Sequence, residues 1–400
     1  MKFLKNILGK VKPAFEKGGK FEKIFPLYDA LETFAFVPGH TTEKGSHIRD
    51  AIDLKRTMFI VIVAMIPAML FGVYNTGYQH YMAIGVDADF WQMVLYGLGK
   101  LIPLIVVSYG VGLGIEFLFA IQRKHSIHEG FLVTGMLIPL IMPADVPLWM
   151  VALSTAFAVV FGKEVFGGTG MNIVNVALTA RAFLFFAYPT EMSGNNVWVK
   201  TTGGTPVDGF TGETFLAQAV ERGAQFSDIT GAPYDGIGES FMQAFLGFIP
   251  GSFGETSTLA ILIGAFILIW TGIGSWKIIL SCVLGGAVMG LTFNIFGEMY
   301  FPENAYLQVP WWQQLVLGGF MFGAVFMATD PVTAAQTEKG KWIYGFLIGA
   351  LSIIIRLVNP AYPEGVMMAI LFMNVMAPTI DHYVVQGNIK NRLKRVKVSA

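Results

Sequence analysis

Thr57-Met58-Phe59-Ile60-Val61-Ile62-Val63-Ala64-Met65-Ile66-Pro67-Ala68-Met69-Leu70-Phe71-Gly72-Val73-Tyr74-Asn75 contains no charged side chain. As a helix it would rise about 1.5 Å per residue and reach about 28 Å, close to the hydrocarbon thickness of a bilayer. One such run could be a buried core helix; the rest of the chain decides for a membrane. Of 400 residues 54% are apolar and only 14% charged, against about a quarter charged in soluble domains. Spans are expected near 57–75, 100–122, 130–142, 148–165, 172–188, 257–273, 277–297, 312–328, 342–358 and 365–382. The third is short and holds Pro139, so it should be tilted, broken or re-entrant. The 46 glycines fit close helix–helix approach in lipid.

Positive charge orients these spans. Residues 1–56 carry eleven Lys and Arg, too charged for a cleaved signal peptide, and are expected to form a cytoplasmic arm. With that arm inside, Arg123-Lys124, Lys163, Lys277, Lys339-Gly340-Lys341 and the tail with Lys390, Arg392, Lys394, Arg395 and Lys397 all fall on the inner face. The opposite connections, 76–99, 143–147 and 298–310, carry no Lys or Arg, and Arg356 is the exception. The long polar segment 190–256 holds Lys200 and Arg222 against eight acids and is placed outside.

The expected fold is therefore an all-α polytopic membrane protein of about ten transmembrane helices, N-in/C-in. Ten divides into two fives, and an odd number per half requires inverted repeats. The divisions are a 1–56 arm, a first five-helix repeat 57–189, the outer, periplasmic loop 190–256, a second repeat 257–382 and a basic cytoplasmic tail 383–400. A faint internal match supports the inversion: Gly130-Phe131 leading to Met142-Pro143-Ala144-Asp145, and Gly319-Phe320 leading to Met327-Ala328-Thr329-Asp330. Zero net charge argues against a nucleic-acid partner. The single Cys282 admits neither an internal disulfide nor an iron–sulfur cluster of its own.

Within the outer loop, Asp208-Gly209-Phe210-Thr211-Gly212-Glu213-Thr214 precedes Phe215-Leu216-Ala217-Gln218-Ala219-Val220-Glu221, a short helix ended by Gly223. Either Thr211 or Thr214 suits the N-cap. A phosphate esterified there would also meet free backbone N–H groups and the positive dipole end. Ser252-Phe253-Gly254-Glu255-Thr256-Ser257-Thr258 repeats Gly-Glu-Thr before the sixth span. There a helix cap is the plainer reading, and Thr256 is the second choice for any covalent attachment.

Carboxylates in lipid must face protein, water or a cation. Glu116 lies deep in span two, while Glu164, Asp330 and Asp381 end spans four, eight and ten. Glu116 is the best candidate for function because no helix end explains it. Arg181 is expected to pair with Glu164. The irregular run Gly162–Asn172, with Gly167 and Gly168, lacks the spacing of a nucleotide-phosphate loop. It suits a tight inner turn, or backbone lining for an isoalloxazine ring or a quinone. No paired nucleophile and base and no His/Cys metal cluster stands out; His125 and His128 sit on an inner basic loop.

Several segments carry a resemblance: Ser46-His47-Ile48-Arg49-Asp50, Arg123-Lys124-His125, Lys163-Glu164-Val165-Phe166-Gly167-Gly168-Thr169-Gly170, Arg181-Ala182-Phe183-Leu184, Phe326-Met327-Ala328-Thr329-Asp330-Pro331 and Asn359-Pro360-Ala361-Tyr362-Pro363-Glu364-Gly365. Together they resemble the B-type membrane component of the Na⁺-translocating NADH:quinone oxidoreductase over almost the whole chain. The membrane core is also similar to the D-type component of the Rnf electron-transfer complex, though the long arm favours the former.

The resemblance implies a bacterial inner-membrane subunit working with five others (A, C, D, E and F type) to pass electrons from NADH to ubiquinone and export Na⁺. It implies FMN held covalently on the last threonine of Ser/Thr-Gly-x-Thr, here Thr214, by a separate flavin transferase. Thr211, Gly212, Glu213, Asp208, Gly167, Gly168 and Arg181 are the further candidates around the cofactor. It also implies shares in riboflavin and ubiquinone binding, the latter near Gly112 and Gly114, and Na⁺ handling at Glu116, Asp330 and Asp381. The usual Ser-Gly-Ala-Thr reads Thr211-Gly212-Glu213-Thr214 here, placing a carboxylate beside the phosphoester. The usual Gly-Gly before the span-two glutamate reads Gly112-Leu113. An Rnf-type subunit and a flavin-free channel or carrier are the alternatives.

Overall fold

The computed structural model describes residues 2–15, 19–21, 24–36, 42, 44–48, 52–123, 130–194, 197–201, 204–359 and 365–398. Arg49, Asp50, Lys124, His125, His128 and the 360–364 motif lie outside them. Among the described residues there is no strand, only one isolated bridge between Ser227 and Pro233.

α1 (Lys2–Phe15) and α2 (Phe25–Ala35) form the arm. The Tyr28 hydroxyl donates to the Leu8 carbonyl at 2.9 Å, and its ring stacks on Phe15. α3 (Leu54–Ala83) starts where Asp53 accepts the Arg56 N–H, a side-chain cap. α4 (Phe90–Arg123), α5 (Phe131–Ile141) and α6 (Leu148–Val159) follow, and α6 runs on into a π-helical turn, Val160–Glu164. α7 (Val176–Ala187) and α8 (Pro189–Met192) precede the polar segment, which folds into α9 (Phe215–Arg222) and α10 (Ile237–Leu246). The rest comprises α11 (Thr258–Trp270), α12 (Trp276–Tyr300), α13 (Trp311–Val316), α14 (Phe320–Phe322) with a π turn Gly323–Met327, α15 (Glu338–Val358) and α16 (Gly365–Val398).

Among the described residues five helices, α3, α4, α12, α15 and α16, are long and apolar enough to cross a membrane. The other expected spans fall on shorter helices. α5 has 11 residues, about 16 Å of helix, half the hydrocarbon thickness. It is nonetheless at the centre: Phe131, Ile138, Leu140 and Ile141 are fully enclosed, as is almost all of 320–328. Short or broken helices survive at such depth only where protein satisfies the freed backbone. Here the Gly254 N–H donates to the Leu140 carbonyl at 2.8 Å. The Arg356 guanidinium donates to the carbonyls of Gln314 (2.7 Å) and Leu317 (3.1 Å), spanning the break between α13 and α14.

Some charge-based expectations are corrected. The connection expected at 76–99 is mostly helix, with only residues 84–89 between α3 and α4. Lack of Lys and Arg does not mean an unwound chain: Tyr78, Gln79 and His80 lie within the last turns of α3. His80 stacks on Tyr96 at 3.9 Å between ring centres. Lys163, counted with the inner-face charges, is a buried side chain in the π turn that ends α6. Lys339 and Lys341 open α15 rather than a loop. Arg356, the exception to the charge rule, is buried and bonded within the protein, so it carries no information about sidedness. α16 continues unbroken past residue 382, making the basic tail a helical extension.

Candidate functional site

The polar segment is a folded cap. Phe215, Leu216 and Ala219 on one face of α9 are buried against Tyr306, Leu307, Val309 and Leu317. Gln218 ties α9 to the next turn, accepting the Ser227 N–H at 2.8 Å and donating to the Ser227 carbonyl at 3.1 Å. Burial holds the Tyr306 phenol up at about 12 and raises the Tyr234 phenol as well, so both stay neutral. The cap sits at the end of the bundle where Lys100 meets Asp145 at 2.5 Å and the Lys200 carbonyl lies 2.9 Å from His80 Nδ1.

Thr214 is the N-cap of α9: its hydroxyl accepts the Ala217 N–H at 3.3 Å, and Gly223 closes the helix at φ 65°. The half-buried Thr214 opens onto a cavity of about 320 Å³. Trp198, Leu216, Ile249 and Leu317 give it apolar walls; Ser252, Glu255 and Thr256 are polar. Gly318 and Gly319, both at positive φ, bring the α13–α14 break against it. The two Gly-Glu-Thr threonines thus line one cavity. Ser257, not Thr256, caps α11, and the buried Thr256 hydroxyl has no hydrogen-bond partner among the described residues.

Arg181 does not pair with Glu164. It reaches Glu255 at 2.7 Å, with Trp198 6.0 Å from its guanidinium carbon. Ser252 donates to the other Glu255 oxygen at 2.6 Å. Sequence reasoning missed this because the pair joins segments far apart in the chain. A buried Arg in an apolar helix beside an acid just before another was the available signal. Of the remaining flavin candidates, Thr211 is pinned by its N–H to the Ile229 carbonyl at 3.0 Å and its hydroxyl is buried without a partner among the described residues. Gly212 is buried, Glu213 turns toward Arg222 at 3.8 Å, and Asp208 is exposed. These motif residues flank the cavity without lining it.

A residue with Thr214's geometry can hold a phosphate-linked group. The α9 N-terminus offers N–H donors and positive potential, the apolar walls suit a flat ring, and two buried hydroxyls lack partners nearby. The residues present therefore fit FMN.

Gly167 and Gly168 gather elsewhere, around Glu164, with the Gly168 N–H on the Lys163 carbonyl at 3.1 Å. Glu164 lies 3.5 Å from Arg123 at the far end of α4 from Lys100. That rise is about 35 Å, so this site and the Thr214 cavity lie toward opposite ends of the bundle. Glu116 is buried and ion-paired with Lys163, the partner that the sequence did not reveal. Gly112, one turn earlier, is filled by the Phe131 ring, whereas Gly114 faces open space. A smaller cavity, about 80 Å³, is lined by Lys163, Thr169, Asn172, Asn175 and Asp330. Asp330 accepts from Val332 N (3.0 Å), Thr333 Oγ1 (3.2 Å) and Asn175 Nδ2 (3.4 Å). Asp381 is not brought there; it accepts from the N–H groups of Gln336 (2.7 Å) and Thr337 (3.0 Å) and from the Thr337 hydroxyl (2.5 Å).

The family model described as the NQR2, RnfD, RnfE family matches residues 41–390. The chain is 48% identical to the B subunit of the Na(+)-translocating NADH-quinone reductase of Pseudomonas paraeruginosa, over 98% of this chain and 99% of that protein. It is 47% identical to the protein of the same name from Chromohalobacter salexigens, over 98% and 96%. For that of Azotobacter vinelandii the figures are 46%, 98% and 99%. Likeness that runs over almost the whole length leaves one assignment: the chain belongs to the NQR2, RnfD, RnfE family.

Proposed function

We propose that the chain is the B-type membrane component of a Na⁺-translocating NADH:ubiquinone reductase of the bacterial inner membrane. It carries FMN through a phosphoester on Thr214, passes electrons toward ubiquinone and helps move Na⁺ with five partner subunits. In this reading it crosses the membrane ten times as two inverted halves, 57–189 and 257–382. The arm and tail lie inside and 190–256 lies outside, where a flavin transferase can reach it. Riboflavin and ubiquinone are further ligands.

The observation that carries the reading is Thr214 capping α9 at the mouth of the 320 Å³ cavity. Its hydroxyl is held at a helix N-terminus, so the phosphate of an attached group meets N–H donors. Bound FMN supplies reversible electron storage. The chain's residues do the rest: Trp198 and Leu216 exclude water, the neutralised Arg181–Glu255 pair holds the floor, and Gly212 leaves room beside the attachment. At the other end Glu116 and Asp330 face the cation path, and Asp381 acts at its edge by fixing the start of α15.

The test is in-gel flavin fluorescence of the denatured chain, co-expressed with the transferase. The band should vanish in Thr214→Val and persist in Thr256→Val. Loss only in Thr256→Val moves the attachment to the second threonine, which its place in the same cavity makes the alternative. No band in the parent, with the transferase active on another target, favours a flavin-free carrier. Co-purification with ferredoxin-linked partners would favour an Rnf-type subunit.

A further inference from the structure

A ladder of alternating charge runs inward along α4. Arg123, whose side chain is 37% exposed, stands at its outer rung; its Nη2 donates to the Glu164 carbonyl at 2.9 Å and its Nη1 lies 3.5 Å from Glu164 Oε2. Lys163 and Glu116 form the deepest rungs, each 4% exposed. Arg123 and Glu116 lie two turns apart on one face of α4, while Lys163 and Glu164 both come from the π turn that ends α6.

One carboxylate oxygen in this ladder is unspent. Glu116 Oε2 is buried and accepts no hydrogen bond among the described residues, whereas Glu164 Oε2 stands at ion-pair distance from Arg123. A buried carboxylate oxygen without a donor is costly, and a cation is the partner that relieves it best. Lys163 neutralises Glu116 through the other oxygen, from a long flexible stem, and its ammonium also lies 5.9 Å from the centre of the Phe131 ring. The same lysine lines the smaller cavity, and so does Asp330. A second carboxylate therefore borders the cavity that the lysine borders. The π turn adds one residue of slack to the backbone that carries it, a distortion often found at functional sites.

We propose that Lys163 is a tethered cation: it occupies on Glu116 the place that a mobile monovalent cation takes when the lysine withdraws toward Asp330. Glu164, nearer the surface, is the intermediate stop, and Arg123 guards the entry. Glu116 stays paired with one positive charge throughout, and the charge that the incoming cation adds is offset where the displaced lysine meets the Asp330 carboxylate. It rests on the proposed role in Na⁺ transport, with the lysine setting how readily sodium reaches the deep carboxylate.

A competitor built into the chain lowers apparent affinity by the fraction of time it holds the site. If the lysine holds Glu116 nine-tenths of the time, removing it should tighten binding about tenfold. The assay is equilibrium dialysis of the purified complex against radioactive sodium, paired with the sodium-dependent shift in thermal unfolding. Lys163→Met should bind sodium about tenfold more tightly than the parent. Adding Glu116→Gln to that variant should abolish the gain. Lys163→Arg keeps the charge and should not tighten binding, which keeps the idea testable if Lys163→Met assembles poorly. Equal affinity in parent and Lys163→Met, or a gain that survives Glu116→Gln, overturns the tethered-cation role while leaving the transport reading standing. No sodium binding in any form overturns both.

Discussion

Arg181 and Glu255 meet at 2.7 Å between α7 and the turn that leads into α11, and Ser252 bonds the remaining carboxylate oxygen. Their side chains are only 4% and 13% exposed. Removing one partner of such a pair leaves a buried charge and costs about 3–5 kcal/mol, whereas replacing both with apolar groups is often neutral. Glu255→Ala should therefore lower the thermal midpoint of the purified complex sharply, and Arg181→Met with Glu255→Met should recover most of the loss. If the double variant melts like the parent yet loses flavin-dependent turnover, the pair serves the cofactor rather than the fold.

Thr214 has two separable duties. As N-cap it accepts the Ala217 N–H, and losing a threonine cap costs about 0.5–2 kcal/mol of helix stability. Without the flavin transferase, Thr214→Ala should make the 190–256 cap more susceptible to limited proteolysis, while Thr214→Ser should match the parent. With the transferase present, the same alanine variant should carry no flavin. Equal proteolysis of parent and alanine forms would show that the cap, not α9's N-terminus, holds the segment.

The chain's helical class was legible because long charge-free runs leave few alternatives in water or lipid. α9 was legible for a local reason: Thr214 and Gly223 bracket it with start and stop signals. The pairing of Lys163 was not legible, because a topology rule counts lysines without asking which are paired. Its partner Glu116 is on another helix, and no spacing links the two. Arg356 failed as a topology marker for the same reason, its partners being backbone carbonyls at a break between α13 and α14. The shared cavity of Thr214 and Thr256 was also hidden, because it forms only when the cap folds onto the bundle end.

Arg356 closes that break with guanidinium donors that no other side chain matches in number or plane. The residue is fully buried, so its loss strands the Gln314 and Leu317 carbonyls without water. Stranded buried acceptors cost about 1–3 kcal/mol each. Arg356→Ala should fail to accumulate or melt far below the parent, and Arg356→Lys, with one ammonium for two carbonyls, should fall between. Comparable melting of all three would mean that the break is held by packing alone.

Asp381 separates a structural duty from a transport one. Its oxygens accept two backbone N–H groups and the Thr337 hydroxyl, and Thr337 in turn caps α15 by accepting the Gly340 N–H at 3.1 Å. Asp381→Asn keeps one carbonyl oxygen for those donors and removes the charge; Asp381→Ala removes both. If the residue acts by fixing the start of α15, the alanine variant should lose about 1–3 kcal/mol of stability. The asparagine variant should then keep the parent's half-saturating sodium concentration in turnover assays. A large rise in that concentration for Asp381→Asn, at an unchanged melting point, would place the carboxylate itself in the cation path beside Glu116.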